Sequence, residues 1–160
     1  DFNGYLKHDG ILDVLEARKK SGEINQPARE LYSKHVKTVI QRGSKRTESF
    51  NTNLGYPIEI ILSHNPYKLK KGDELGFQVL RDNKPVTNQL VYASYSGFHE
   101  HADEGTHVEA VTIRTNSKGF GKIKLSENGE WYLRVIQMVK SDKEGIDYES
   151  NWATFTFQIQ

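Results

Sequence analysis

Three of the chain's six histidines fall within nine residues, in the segment Gly97-Phe98-His99-Glu100-His101-Ala102-Asp103-Glu104-Gly105-Thr106-His107. His99 and His101 are two apart, so on an extended backbone both imidazoles point to one side. His107 can return from the opposite strand of the same hairpin. Three imidazoles, or two with a carboxylate from Asp103 or Glu104, suit a divalent transition metal ion such as nickel, cobalt or zinc. Neutral imidazole is the ligand form, and histidine is largely neutral near pH 7. The competing reading is a solvated hairpin tip, a place usually rich in Gly, Asp and Glu. The spacing is less specific than a zinc-finger or HExxH pattern.

Other clusters have simpler readings. Asp142, Glu144, Asp147 and Glu149 lie together before the last apolar run. Acid–base work would require a cleft and separated pKa values. No GxSxG motif and no phosphate-cradling glycine loop accompanies them, and EF-hand spacing is absent. A solvated loop is expected, with Glu149 and Ser150 in a capping or turn role. Lys34, Lys37, Arg42, Lys45 and Arg46 form a basic stretch. It can attract an acidic polymer or lipid head groups. The reading preferred here is an edge strand guarded by charge against aggregation. Among the aromatics, Trp131 and Trp152 are expected in the core. Tyr92, Tyr95 and Phe98 lead into the histidine segment and are the candidates for an exposed binding patch.

Elements must position these groups, and composition bounds what the elements can be. The chain has 160 residues, 36% hydrophobic and 27% charged, as in a single polar-surfaced globular domain. Lys plus Arg is 22 against 21 for Asp plus Glu, a balance that argues against nucleic acid as the main partner. With no cysteine there are no disulfides, thiolate metal sites or thiol catalysis. No apolar run approaches the length of a membrane span.

From Leu54 onward, short bursts alternate apolar and polar residues, with turn residues about every ten positions. They are residues 58–62, 75–80, 90–93, 108–113, 123–125, 131–136 and 153–159. Period-two alternation puts every second side chain on one face of a sheet, and seven such bursts read as an antiparallel sandwich. Turns are expected at Lys70–Asp73, Arg81–Pro85, Asn116–Gly119 and Asn128-Gly129, the last a strong hairpin signal. The first fifty residues differ. Ile11, Leu12 and Leu15 have helical spacing, giving a helix over roughly residues 9–21. Pro27 suits the start of a second short helix carrying Leu31 and Tyr32. Val36, Thr38 and Ile40 alternate as a strand, and 43–53 is a polar loop.

Several phrases then carry a resemblance. They are Leu54-Gly55-Tyr56-Pro57-Ile58-Glu59-Ile60, Asn65-Pro66-Tyr67, Lys71-Gly72-Asp73, Asp82-Asn83-Lys84-Pro85-Val86, Gly129-Glu130-Trp131-Tyr132-Leu133 and the run Tyr148 to Phe157. Arg29 to Ser33 and Val36-Lys37-Thr38 add to it. In order and spacing they resemble a bacterial envelope family of unknown function. Its members are often labelled periplasmic components of nickel or cobalt uptake systems. The resemblance runs from about Tyr5 onward. It implies an exported, periplasmic or cell-envelope protein whose partners are envelope transport components or another envelope protein. Members of that family carry a signal peptide and a preceding β-rich segment, neither of which is present here, so this chain is expected to be the C-terminal part of a longer protein. The resemblance assigns no catalytic or ligand residue.

The expected fold is mainly β: an immunoglobulin-like or prealbumin-like sandwich of seven or eight strands with two short N-terminal helices. Residues 1–50 form a helical segment and first strand packed on the same domain, and 51–160 form the sandwich. The expected function is a non-enzymatic binding module of the cell envelope, engaging a divalent transition metal through His99, His101 and His107 in connection with metal uptake. The alternative is an adhesive or scaffolding module that contacts a protein or polysaccharide without metal. A weaker third reading is the accessory domain of an envelope enzyme.

Overall fold

The computed structural model describes residues 1–98, 100–102, 106–108 and 110–160, with the strands inside 100–108 described by their backbone alone. Two short helices, α1 (Phe2–His8) and α2 (Leu12–Lys20), open the chain. Among the described residues eleven strands follow: β1 (Glu30–Thr38), β2 (Ile58–Leu62), β3 (Glu74–Arg81), β4 (Lys84–Pro85), β5 (Leu90–Tyr95), β6 (Glu100–Ala102), β7 (Thr106–Val108), β8 (Val111–Arg114), β9 (Phe120–Lys124), β10 (Gly129–Lys140) and β11 (Tyr148–Ile159). One sheet has the order β1-β11-β10-β5-β8. In the other, β3 pairs antiparallel with β2 along one edge and with β4 and β9 along the opposite edge. β6 and β7 pair only with each other. The fold is mainly β and sandwich-like, as the alternation predicts.

The chain divides into two compact units, residues 1–34 with 136–152 and residues 35–135 with 153–160. Residues 35–50 therefore group with the sandwich strands. The larger unit is built around inward residues that alternate along each strand. Ile58, Ile60 and Leu62 of β2, with Leu75, Phe77 and Val79 of β3, face Val91, Leu133 and Phe155 of the other sheet. All are under 5% exposed. Each such side chain contributes about 1.5–3 kcal/mol by leaving water.

The smaller unit has its own core, with Leu6, Val14, Leu15, Ile136, Met138 and Tyr148 at its centre. Arg18 is buried beside it. Its Nε donates to Asn3 Oδ1 (3.0 Å), and its Nη2 donates to the carbonyls of Glu23 (2.8 Å) and Gln26 (2.7 Å). The rings of Phe2 and Tyr148 lie 5.1 and 5.7 Å from the guanidinium. A buried cation must be satisfied in this way or cost several kcal/mol.

Three expectations about local structure need correction. The helix expected over 9–21 starts at Leu12, and a separate α1 precedes it, capped by Asp1, whose carboxylate accepts from the Gly4 amide (2.6 Å). The helix expected after Pro27 is absent. Residues 27–29 have no regular secondary structure and lead into β1, which carries Leu31 and Tyr32. The Arg29 amide donates to Asp147 Oδ2 (2.7 Å), and the Arg29 carbonyl accepts from the amides of Asp147 and Tyr148. Pairing with residues 118 positions away outweighs the local preference of proline for a helix start. The third correction concerns Asn128-Gly129, which joins β9 to β10 across two different sheets and so makes no hairpin. By contrast, Asp82 and Asn83 both take positive φ (49° and 62°) in the tight reversal from β3 to β4, the conformation that Asn and Asp tolerate best.

Candidate functional site

β5 carries the chain to Phe98, whose amide bonds to the Tyr95 carbonyl (3.0 Å) across a turn in which Gly97 has φ +86°. Beyond it, β6 and β7 form an antiparallel hairpin with the register Glu100↔Val108, His101↔His107 and Ala102↔Thr106. Directly opposed positions of an antiparallel pair share a face, with Cβ atoms roughly 4.5–5.5 Å apart. The register thus sets positions 101 and 107 opposite each other on one face of the hairpin. His99, Asp103 and Glu104, the other members of the candidate metal site, lie outside the described residues, as do the side chains of His101 and His107. Among the described residues, no group of three or more His, Cys, Asp or Glu side chains stands close enough to hold a metal ion.

The three candidate patch residues do not share a face. Tyr95 is paired with Trp131 in the β5–β10 register, and the two rings are 4.8 Å apart. Phe98 meets Tyr95 edge-on at 5.2 Å. Tyr95 packs against the sandwich core together with Val91 and Ala93. Tyr92, three residues earlier on the strand, faces the other way, where Arg134 lies over its ring at 5.0 Å. Tyr95 instead joins an open cleft of about 520 Å³, with Tyr67, Trp131, Tyr132 and Phe157 as its aromatic wall and Ile40 at its rim. Glu130 and Gln158 add polar groups to the same lining. Five separated stretches of chain build this cleft, so no local motif announced it. The aromatics at 95, 131 and 132 were visible, but Tyr67 was not singled out. Its hydroxyl donates to the Val39 carbonyl (3.1 Å) and ties the segment after β1 to the cleft.

A buried ion pair was missed altogether. Glu59 is 2% exposed, although it lies on the face of β2 opposite Ile58 and Ile60. Its carboxylate accepts from Lys37 Nζ (2.8 Å) and from the amides of Leu54 (2.7 Å), Gly55 (3.0 Å) and Tyr56 (3.3 Å). Lys37 also donates to the Thr52 carbonyl (2.9 Å), and its ammonium lies 5.2 Å from the Phe155 ring centre. These bonds tie β1 and β2 to the 52–56 loop, so the site reads as an anchor for that loop. The available signal was a lone carboxylate inside the apolar run 58–62.

The basic stretch does not act as one surface. Lys34 lies over the Trp152 ring at 4.9 Å, within the smaller unit. Lys37 turns inward to Glu59. Arg42, Lys45 and Arg46 sit in the loop after β1, where Gln41 Nε2 donates to the carbonyls of Gly43 (2.8 Å) and Lys45 (2.7 Å).

The carboxylates before β11 form ordinary loop contacts. Asp147 receives the Arg29 amide, while Glu149 accepts from Lys143 Nζ (2.6 Å) and Ser141 Oγ (2.8 Å). Lys143 and then Ser141 hold the Glu149 carboxyl below its ordinary range. Ser150 is buried and hydrogen-bonds Glu30, which also accepts from the Tyr5 hydroxyl (3.2 Å). Burial first, and then the Glu30 carboxylate, push the Tyr5 hydroxyl far above its ordinary pKa, keeping it protonated as a donor.

No helix among the described residues is long and apolar enough to cross a membrane. The sequence profile of a family described as a domain of unknown function (DUF4198) matches residues 4–139. The chain belongs to this family, whose description leaves its role open. No curated protein matches the chain at a significant level. No solved structure does so either.

Proposed function

We propose that this DUF4198 member is a non-enzymatic binding module of the cell envelope that holds a divalent transition metal ion, nickel, cobalt or zinc, on the β6–β7 hairpin. The observation that carries this reading is the register His101↔His107. Two imidazole-bearing positions opposed across a hairpin are a preformed half of a metal site, because the backbone ladder already fixes their separation. His99, two residues before His101 in the sequence, is the candidate for a third imidazole, and Asp103 or Glu104, between the two strands in the sequence, for an oxygen. The absence of any other such cluster among the described residues concentrates the metal reading on this one segment. Two facts support a binding role over a catalytic one. The buried carboxylate Glu59 is spent on Lys37 and backbone amides, and Glu149 is spent on Lys143 and Ser141. The label of metal uptake, borne by proteins that the sequence resembles, agrees with the ligand class and with a place in the envelope beside transport components.

The test is calorimetric titration of the metal-free protein with nickel, cobalt and zinc, beside a variant with His99, His101 and His107 all changed to Ala. One-to-one binding that weakens at least a hundredfold in the variant is expected. Binding that is absent, or unchanged in the variant, removes the metal reading.

A further inference from the structure

We infer that the aromatic-walled cleft of the larger unit is a binding site for sugar rings of a neutral polysaccharide. This site is separate from the histidine hairpin, and its test does not depend on metal.

The cleft lies at one end of the five-stranded sheet, where four neighbouring strands stop or start. β1 ends at Thr38, β11 at Ile159 and β5 at Tyr95, and β10 begins at Gly129. All of its lining belongs to the larger unit. The end of a sandwich is where a rigid framework presents short chain segments, and binding residues collect there. The volume, about 520 Å³, falls within the range of small-molecule sites, roughly 300–1,000 Å³.

Three of the rings are fixed before any ligand arrives. The Trp131 indole donates to the Glu127 carbonyl (2.9 Å), and the Tyr67 hydroxyl donates to the Val39 carbonyl (3.1 Å). Tyr95 packs against both Trp131 and Phe98. A wall set in advance loses little conformational freedom on binding. The polar tips differ. Among the described residues, nothing hydrogen-bonds the Tyr132 hydroxyl, the Glu130 carboxylate or the Gln158 amide. Fixed apolar faces and uncommitted polar groups therefore border one space.

That combination selects the ligand. Among the described residues that line the cleft there is no Lys, Arg or His, and Glu130 is the one charged group, so an anion finds no counter-charge. A wholly apolar ligand such as an acyl chain would take Glu130, Gln158 and Tyr132 out of water with nothing to bond. A quaternary ammonium ion would engage the rings and Glu130, but it has no donor or acceptor for Gln158 or Tyr132. A sugar ring has both kinds of surface. Its C–H faces lie on aromatic planes, and the hydroxyls around its edge donate to a carboxylate and exchange hydrogen bonds with an amide and a phenol. Because the cleft is open to solvent, a ring within a chain can enter while its neighbours run outward.

The probes are cellohexaose, maltohexaose and mannohexaose, with glucose, mannose, choline chloride and sodium hexanoate as controls. Titration calorimetry is expected to show a hexasaccharide binding at least tenfold tighter than its monomer. Its affinity should be the same at low and high salt, since no charge on the ligand is engaged. Backbone NMR signals should move at Tyr95, Trp131, Tyr132 and Gln158. Tyr132→Ala and Gln158→Ala should each weaken binding at least fivefold. Gln158 is exposed, so its variant reports a lost contact even if Tyr132→Ala fails to fold. The variant with His99, His101 and His107 changed to Ala should bind the sugar as the parent does. Failure of all three hexasaccharides to bind, equal affinity for the monomer, or binding that survives both cleft variants overturns the proposal. So does binding lost in the histidine variant, or a titration in which choline or hexanoate moves the cleft signals and no sugar does.

Discussion

Glu59 shows how much one side chain can carry. Its carboxylate neutralises Lys37 and satisfies three consecutive backbone amides, so changing it to Gln leaves a buried ammonium without its anion. Breaking such a pair from one side costs about 3–5 kcal/mol. Glu59→Gln is therefore expected to lower the urea midpoint sharply, whereas the double variant Lys37→Met with Glu59→Leu should recover much of the loss because no charge is then buried alone. Glu149 offers a gentler test. Its folded-state pKa lies below that of the unfolded chain, so the stabilisation it brings is present above the unfolded value of about 4.3 and is lost as pH falls through the lowered folded value. In an NMR titration the Glu149 midpoint should rise in Lys143→Gln, since Lys143 is the largest cause of the depression. Both residues were visible in the sequence, but their partners were not. Lys37 and Glu59 are 22 positions apart, and no periodicity links a lysine on one strand to a carboxylate on another.

At the scale of elements, alternation located the strands well because the physical cause is local: one face buried, one face wet. β2 matches its apolar burst at both ends, and β3, β5, β10 and β11 each contain theirs. The expected burst 108–113 is split between β7 and β8, which belong to different sheets. What alternation cannot say is which strand pairs with which. Hence the strong turn signal at Asn128-Gly129 was read as a hairpin and proved to be a crossing between sheets. Gly119 shows what a crossing turn can demand. It has φ +74°, and a Cβ there would lie 2.7 Å from the Val79 carbonyl oxygen, which is backbone and cannot swing aside. The Gly119 carbonyl also accepts the Val79 amide (2.9 Å). Gly119→Ala is expected to cost about 1–3 kcal/mol, more than an ordinary turn substitution, read as a lowered melting temperature.

For the molecule as a whole, composition and charge indicated a polar-surfaced protein with enough apolar residues for a β core. They did not indicate two cores. The second depends on α1, α2 and the middle of the β10–β11 ribbon coming together, and those segments are more than a hundred residues apart. The candidate sites divide along the same line. The candidate histidine segment was legible because its proposed ligands are neighbours in sequence. The cleft beside Ile40 was not, because five separated segments bring it together.

Neither compact unit is a continuous piece of sequence. The smaller takes its last stretch from residues 136–152, and the larger is completed only by 153–160. A chain leaving the ribosome therefore holds no finished unit until β11 has emerged. Phe77, Leu133 and their neighbours wait for Phe155 and Phe157 while already outside the tunnel. During that interval the protein depends on the solubility of half-covered sheets or on a chaperone, and truncation before residue 153 removes Ala153, Phe155, Phe157 and Ile159 from the core of the larger unit.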